Sequence, residues 1–156
     1  MSSLLNKLAR GAVAGVAATV VMSIAMAAGK KVGALGEPPP RRLTRRLLAP
    51  LGPLAPSGSR LDVAALLAHL GFGATMGSIW GLLPRRWHHG AGGALFGFGV
   101  WTANYAGWLP AVGLMPPPQR DRPLRPTTMI LAHLVYGAAL ARVTRLEEAT
   151  LDGTQS

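Results

Sequence analysis

The sequence predicts an all-α polytopic membrane protein, with four transmembrane helices arranged as two pseudo-symmetric helix–proline-loop–helix repeats. Three observations carry that expectation. Four long segments hold no charged residue, although the chain has a net charge of +10. A nine-residue phrase is written twice, "LLAHLGFGA" from Leu66 to Ala74 and "ILAHLVYGA" from Ile130 to Ala138. Glycines recur four residues apart inside three of the four uncharged segments.

Composition narrows the class. Hydrophobic residues make up 49% of the 156 residues and charged residues only 14%, where soluble domains average about 25% charged. Mean hydropathy is +0.30 and the isoelectric point lies near 11.7. In a soluble protein that basicity points to nucleic acid. Here the cations lie between the apolar runs, the pattern of a membrane protein with basic flanks. No nucleic-acid motif accompanies the charge, so nucleic acid is not an expected partner. Cysteine is absent, which excludes disulfides and thiolate chemistry.

A single membrane domain over 1-156 is expected, with helices at about 9-29, 63-84, 91-110 and 127-146. The first uncharged run, "GAVAGVAATVVMSIAMAAG", fills the 19 residues between Arg10 and Lys30. It is longer than a signal-peptide core and has a later counterpart, so it reads as a permanent span. Val63 to Pro84 is the second run, bounded by Asp62 and Arg85, with Asp62 read as its N-cap. The third extends from Gly90 to Met115, with Pro110 marking the expected helix end. Thr127 to Ala141 spans only 15 residues. Crossing a core about 30 Å thick takes about 20 residues, so this helix must continue through Arg142, whose long stem lets its head reach the interface.

The connections differ. "RRWHH", 85–89, is short enough to force an antiparallel pair, whereas 30-62 and 111-126 are basic and each carries three successive prolines. After Pro38–Pro40, Arg41, Arg42, Arg45 and Arg46 fall on one side of a short helix and Leu43 and Leu47 on the other. That arrangement suits a helix on the membrane surface, its four arginines contacting anionic lipid head groups; a solvated basic loop is the plainer alternative.

The repeat extends beyond the nine-residue phrase. "GAVAG" at Gly11–Gly15 corresponds to "GALFG" at Gly93–Gly97, Pro38–Pro40 to Pro116–Pro118, and His69 to His133, all in the same order. Two-helix units repeated in this way keep one orientation, related by an axis along the membrane normal. Gly11, Gly15, Gly73, Gly77, Gly81, Gly93 and Gly97 then form small-residue faces for close helix packing.

A glycine-rich first helix, "VGLMPPP" after the third, and a histidine near the start of the second and fourth helices together resemble the YagU-type family of small bacterial inner-membrane proteins. The resemblance covers roughly residues 8–145 and implies a four-helix, multi-pass protein of the bacterial inner (plasma) membrane. It transfers no catalytic or binding residue. The arginine-rich proline connections depart from it, so no shared partner follows.

His69 and His133 carry the sharpest chemical expectation. Each lies six residues into its uncharged run, roughly 9 Å deep at 1.5 Å per residue. They could serve as a hydrogen bond between helices, a proton relay or haem ligands, with Asn104 as a polar partner. His88 and His89 follow Trp87 in the short turn and lack further metal ligands nearby. Trp80, Trp87, Trp101 and Trp108 read as interfacial anchors or bundle packing. No carboxylate lies inside an apolar run, and no serine has a triad context. The expected function is therefore non-enzymatic, a structural or regulatory membrane component without catalytic residues, metal or cofactor. Its expected partners are anionic lipids and either a second copy or another membrane protein. A transport or proton-relay component using the two histidines is the alternative, and a haem-binding electron carrier the third reading. Ten cations against six place the two proline connections on the cytoplasmic side.

Overall fold

The structure, a computed structural model, describes residues 2–154; Met1, Gln155 and Ser156 of the expected domain lie outside the described residues. Among the described residues every regular element is helical. The α-helices, in chain order, are α1 (Ser2–Lys31), α2 (Pro39–Leu48), α3 (Gly58–Gly81), α4 (Gly90–Trp101), α5 (Leu109–Ala111) and α6 (Arg125–Thr154), with short 3-10 turns in the connections. Three helical stretches are long and apolar enough to cross a membrane: Ser3–Lys31 of α1, Gly58–Gly81 of α3 and Arg125–Thr150 of α6.

The fourth expected span, 91-110, is helical but broken. A seven-residue π-helical stretch, Thr102–Trp108, joins α4 to α5, and Gly107 within it takes φ −100° and ψ −106°, outside the helical range. Asn104 Nδ2 donates to Val100 O at 2.7 Å and Thr102 Oγ1 to Phe98 O at 2.9 Å. Such side-chain bonds compete with the regular ladder, and Pro110 supplies no N–H to restore it. The same end-structure closes α1 and α5. Gly33 and Gly113 both adopt left-handed φ, +77° and +72°. Ala34 N–H then reaches Gly29 O, and Leu114 N–H reaches Leu109 O, each at 2.9 Å, satisfying carbonyls the helix leaves open.

Other boundaries also moved. α3 begins before the expected position, with Ser57 in extended conformation as its N-cap residue. Asp62 therefore lies inside the helix instead of capping it, and its carboxylate accepts from Arg41 Nε at 2.6 Å. α6 runs eight residues past its expected end at 146, because nothing in "LEEATLDGT" breaks it.

α1 packs along α3, α4 along α6, and α1 along α6, so α1 and α6 form the centre of the bundle. The first contact is made of glycine. A Cβ added to Gly77 would stand 2.6 Å from Gly15 Cα, and one added to Gly15 would stand 2.9 Å from Gly77 Cα. Gly81 likewise faces Gly11 and the Lys7 carbonyl. In the α4–α6 contact, a Cβ on Gly93 would meet Ala141 Cβ at 2.7 Å, and one on Gly97 would meet the His133 carbonyl carbon at 3.0 Å. Backbone thus lies against backbone. The interior holds small and flexible side chains, Ala14, Ala18, Met22, Met26 and Leu140 among them. The larger aliphatic residues Val13, Ile24, Leu67, Leu95 and Leu131 face outwards. Of the four tryptophans, Trp80 and Trp101 are buried in the bundle, while Trp87 and Trp108 lie at its surface.

Two substitutions separate packing from helix propensity. Gly77→Leu should lower the thermal midpoint in mild detergent, since overpacking costs about 1–3 kcal/mol before any separation of the backbones is counted. Gly71→Ala in the same helix meets open space and should stabilise by up to about 1 kcal/mol. Equal stability of Gly77→Leu and the unsubstituted protein would place that face against lipid instead.

Candidate functional site

His69 on α3, His133 on α6 and Asn104 in the π-helical stretch line one cavity of about 300 Å³. Its walls are apolar, with Met22, Met26, Phe72, Met115 and Met129 prominent, and α2 covers one side with Pro39, Pro40, Leu43, Thr44 and Leu47. The cavity's position follows from the packing. Under the repeat read from the sequence, α1 corresponds to α4 and α3 to α6. The close α1–α6 contact would then have a counterpart between α3 and α4, but no comparable contact exists there. On the α2 side the cavity lies between α3 and the π-helical stretch that follows α4, lined there by His69, Phe72, Asn104 and Trp108.

The two histidines are not used alike. His133 is buried, and its Nδ1 lies 2.8 Å from Met129 O. A carbonyl can only accept, so Nδ1 carries a proton and Nε2 is the acceptor of the neutral ring. His69 is half-buried, and its Nε2 is shielded from solvent without a hydrogen-bond partner. The expected Asn104–histidine pairing does not form. Asn104 donates to Val100 O and accepts from Trp108 Nε1 at 2.7 Å, which the i, i+4 spacing of Asn104 and Trp108 makes the nearer partnership.

His69, Met26 and Pro40 also line a larger, polar cavity of about 960 Å³, which carries Lys30, Glu37, Arg41, Arg45 and Asp62. Arg41 bridges Glu37 at 3.0 Å and Asp62, and Arg45 holds Glu37 at 2.9 Å. Arg46 donates to the carbonyls of Gly113 and Leu114, at 3.2 and 2.5 Å. Arg41, Arg45 and Arg46 thus spend some of their donors on the protein, while Arg45 and Arg46 remain exposed. Glu37, Asp62 and the open carbonyls after α5 lie within their reach. α2 is consequently strapped across the bundle end.

Two buried polar clusters escaped the sequence reading. At the α2 end, Tyr105 donates to Asp121, which pairs with Arg125 at 3.1 Å, both side chains only 3% exposed. Arg125 also donates from Nε and Nη2 to Leu35 O at 2.9 and 2.7 Å. Burial pushes the Asp121 carboxyl up, but the Tyr105 hydroxyl, the Arg122 N–H and the Arg125 charge outweigh it and hold the carboxyl below its ordinary value. Arg125 four residues after Asp121 was a visible hint; Tyr105, from another element, was not. At the opposite end, buried His88 contacts Glu148 through Nδ1 at 2.9 Å and Trp80 O through Nε2 at 3.3 Å. His89 turns away and caps α4, accepting from Gly92 N–H. Among the described residues no group of three metal-ligating side chains comes together.

The Asp121 cluster predicts a pH dependence. A carboxyl with a depressed native pKa contributes stability above its unfolded value, and this is lost as pH falls through the native value. Asp121→Asn should cost about 3–5 kcal/mol at neutral pH, because the Arg125 charge stays buried without its counter-ion. The gap in thermal midpoint between the two proteins should narrow on acidification below the ordinary carboxylate range. A gap that stays constant with pH would show that Asp121 is not the group responsible.

No family model matches this chain, no curated protein matches it, and no solved structure matches it.

Proposed function

We propose that the chain is a four-span integral protein of the bacterial inner membrane, related to the YagU-type group, and that it acts as a structural or regulatory membrane component held by anionic lipids. The observation that carries this reading is the inversion of the surface. Many large aliphatic side chains face outwards along the bundle, while alanine and methionine, with four aromatic rings and three leucines, form its core, and the helix contacts are made by glycine, as expected where lipid replaces water. The broken rod Gly90–Ala111 supplies the fourth crossing, because non-regular backbone is tolerated where protein or a cavity surrounds it. At the α2 end, Lys30, Lys31, Arg60, Arg120 and Arg122 are exposed and form a ring of cations for lipid head groups. The basic loops, more than α2 itself, supply this contact.

Reporter fusions after residues 35, 87, 120 and 150 should place 87 and 150 on one side of the membrane, with 35 and 120 on the other. Neutralising Lys30, Lys31, Arg60 and Arg120 together to glutamine should at least halve the anionic phospholipid retained through detergent purification. Fusions after 35 and 87 on the same side would remove the four-span reading, and unchanged lipid retention would remove the head-group role.

A second reading, a proton relay, is favoured by one observation: both intramembrane histidines line the same cavity. Glutamine keeps hydrogen bonding but carries no proton at physiological pH. Proton flux in liposomes should then be abolished by His133→Gln and His133→Ala alike, and an unsubstituted protein without flux would end that reading.

A further inference from the structure

We propose that the cavity beneath α2 is a binding site for a bilayer-soluble amphiphile with an apolar body and a single hydroxyl end, which hydrogen-bonds to His69 and His133. The inference rests on the membrane reading above, and the topology fusions test that reading separately.

Three observations define the occupant. The first is access. Phe72, Leu47 and Trp108 line the cavity and are also surface-exposed. The opening is therefore framed by groups that, in a membrane, meet lipid, and a ligand entering there arrives dissolved in the bilayer. The second is the lining. Methionines from two helices and the loop after α5 (Met22 and Met26, Met129, Met115) form much of the wall. Unbranched thioethers adapt to varied apolar shapes. A cavity of about 300 Å³ lies at the lower end of the range for small-molecule sites, which suits a single chain or ring more than a two-chain lipid.

The third is the polar end. Of the cavity's other hydrogen-bonding side chains, Asn104 is committed to Val100 and Trp108, and Tyr105 to Asp121, while the Thr44 hydroxyl belongs to the α2 wall. On α3 and α6 what remains is the His69 Nε2, buried without a partner, and the His133 Nε2, left as an acceptor by the Met129 bond. A hydroxyl is the simplest group that matches this pair, since it donates through O–H to the His133 acceptor and accepts an N–H from His69. An ether or ester oxygen accepts only, and leaves the His133 lone pair unpaired in an apolar wall. An unpaired buried polar group costs about 1–3 kcal/mol, enough to separate an alcohol from its ether.

The test uses the full chain in maltoside micelles, with 1-dodecanol and dodecyl methyl ether as probes at equal mole fraction. The thermal midpoint should rise saturably with the alcohol, and the ether should need at least a tenfold higher mole fraction for the same rise. His69→Leu, which removes no existing hydrogen bond, and His133→Leu should each abolish the alcohol's advantage while leaving the weaker response to ether. If His133→Leu does not fold, His69→Leu decides alone. Equal responses to alcohol and ether, no saturable response, or an advantage that survives His69→Leu would each overturn the proposal, the second meaning that water or nothing fills the space.

Discussion

Everything in this molecule depends on how closely two backbones can approach when lipid offers no hydrophobic drive for helices to associate. At Gly11, Gly15 and Gly77 the answer is contact without side chains: an added Cβ would overlap the facing main chain, and at Gly73 it would overlap the Thr19 hydroxyl. Dispersion between closely apposed backbones is weak per atom pair and large in sum. The same device at Gly93, Gly97 and Gly137 joins α4 to α6. Two tight pairs result, and a pair held this closely leaves little freedom in register. The central α1–α6 contact then sets the position of one pair against the other. The flanking α3 and the π-helical stretch that follows α4 stand apart beneath α2, and the histidine-lined cavity opens between them.

Tight pairs alone would leave the ends of the bundle unspecified. Buried polar ties fix them. Arg125 fastens the start of α6 to the chain after α1 through Leu35 O, and to the π-helical stretch through Asp121 and Tyr105. At the other end His88 ties the short turn to α6 through Glu148, with the Trp80 ring tilted against it at 5.0 Å and donating to Thr144. These bonds lie where water is scarce, so each is worth more than at a wet surface, and each would cost more if half were removed. α2 is tied to the rest of the bundle at exposed positions, through Arg41 to Asp62 and through Arg46 to two loop carbonyls, and it roofs the cavity.

What could be read in the sequence follows from the range of each interaction. Hydropathy runs and four-residue glycine spacing are local and periodic, so the apolar helices and their small-residue faces were legible. His69 and His133 were legible as candidates because a polar residue inside an apolar run stands out. Partnerships across the chain were not. Asp121 looked like an ordinary loop carboxylate, since only the fold brings Tyr105 to it. The arginines of α2 looked free because Asp62 was assigned to a cap, and once Ser57 takes that position the carboxylate becomes available to Arg41. The π-helical stretch escaped because Gly107 and Asn104 are both tolerated in apolar helices, and only their backbone shows the break.

The twice-written phrase shows how one local sequence can be put to two uses. Phe72 and Tyr136 occupy the same place in it, as do His69 and His133. α6 lies between α1 and α4, so its copy is buried: Tyr136 is 3% exposed, and its hydroxyl reaches across to Gly73 O at 3.0 Å. α3 lies at the flank, so its copy faces the gap, with Phe72 at the cavity opening and His69 short of a partner. A hydroxyl at position 72 would meet lipid and has nothing to bond; at position 136 it satisfies a carbonyl within the close-packed interface. The difference between the two copies is thus what their positions demand. The central copy stabilises the bundle through internal hydrogen bonds, His133 to Met129 O and Tyr136 to Gly73 O. The flanking copy, relieved of that task, leaves a histidine nitrogen unused in an apolar wall, a cost to stability that a ligand supplying the missing bond would remove.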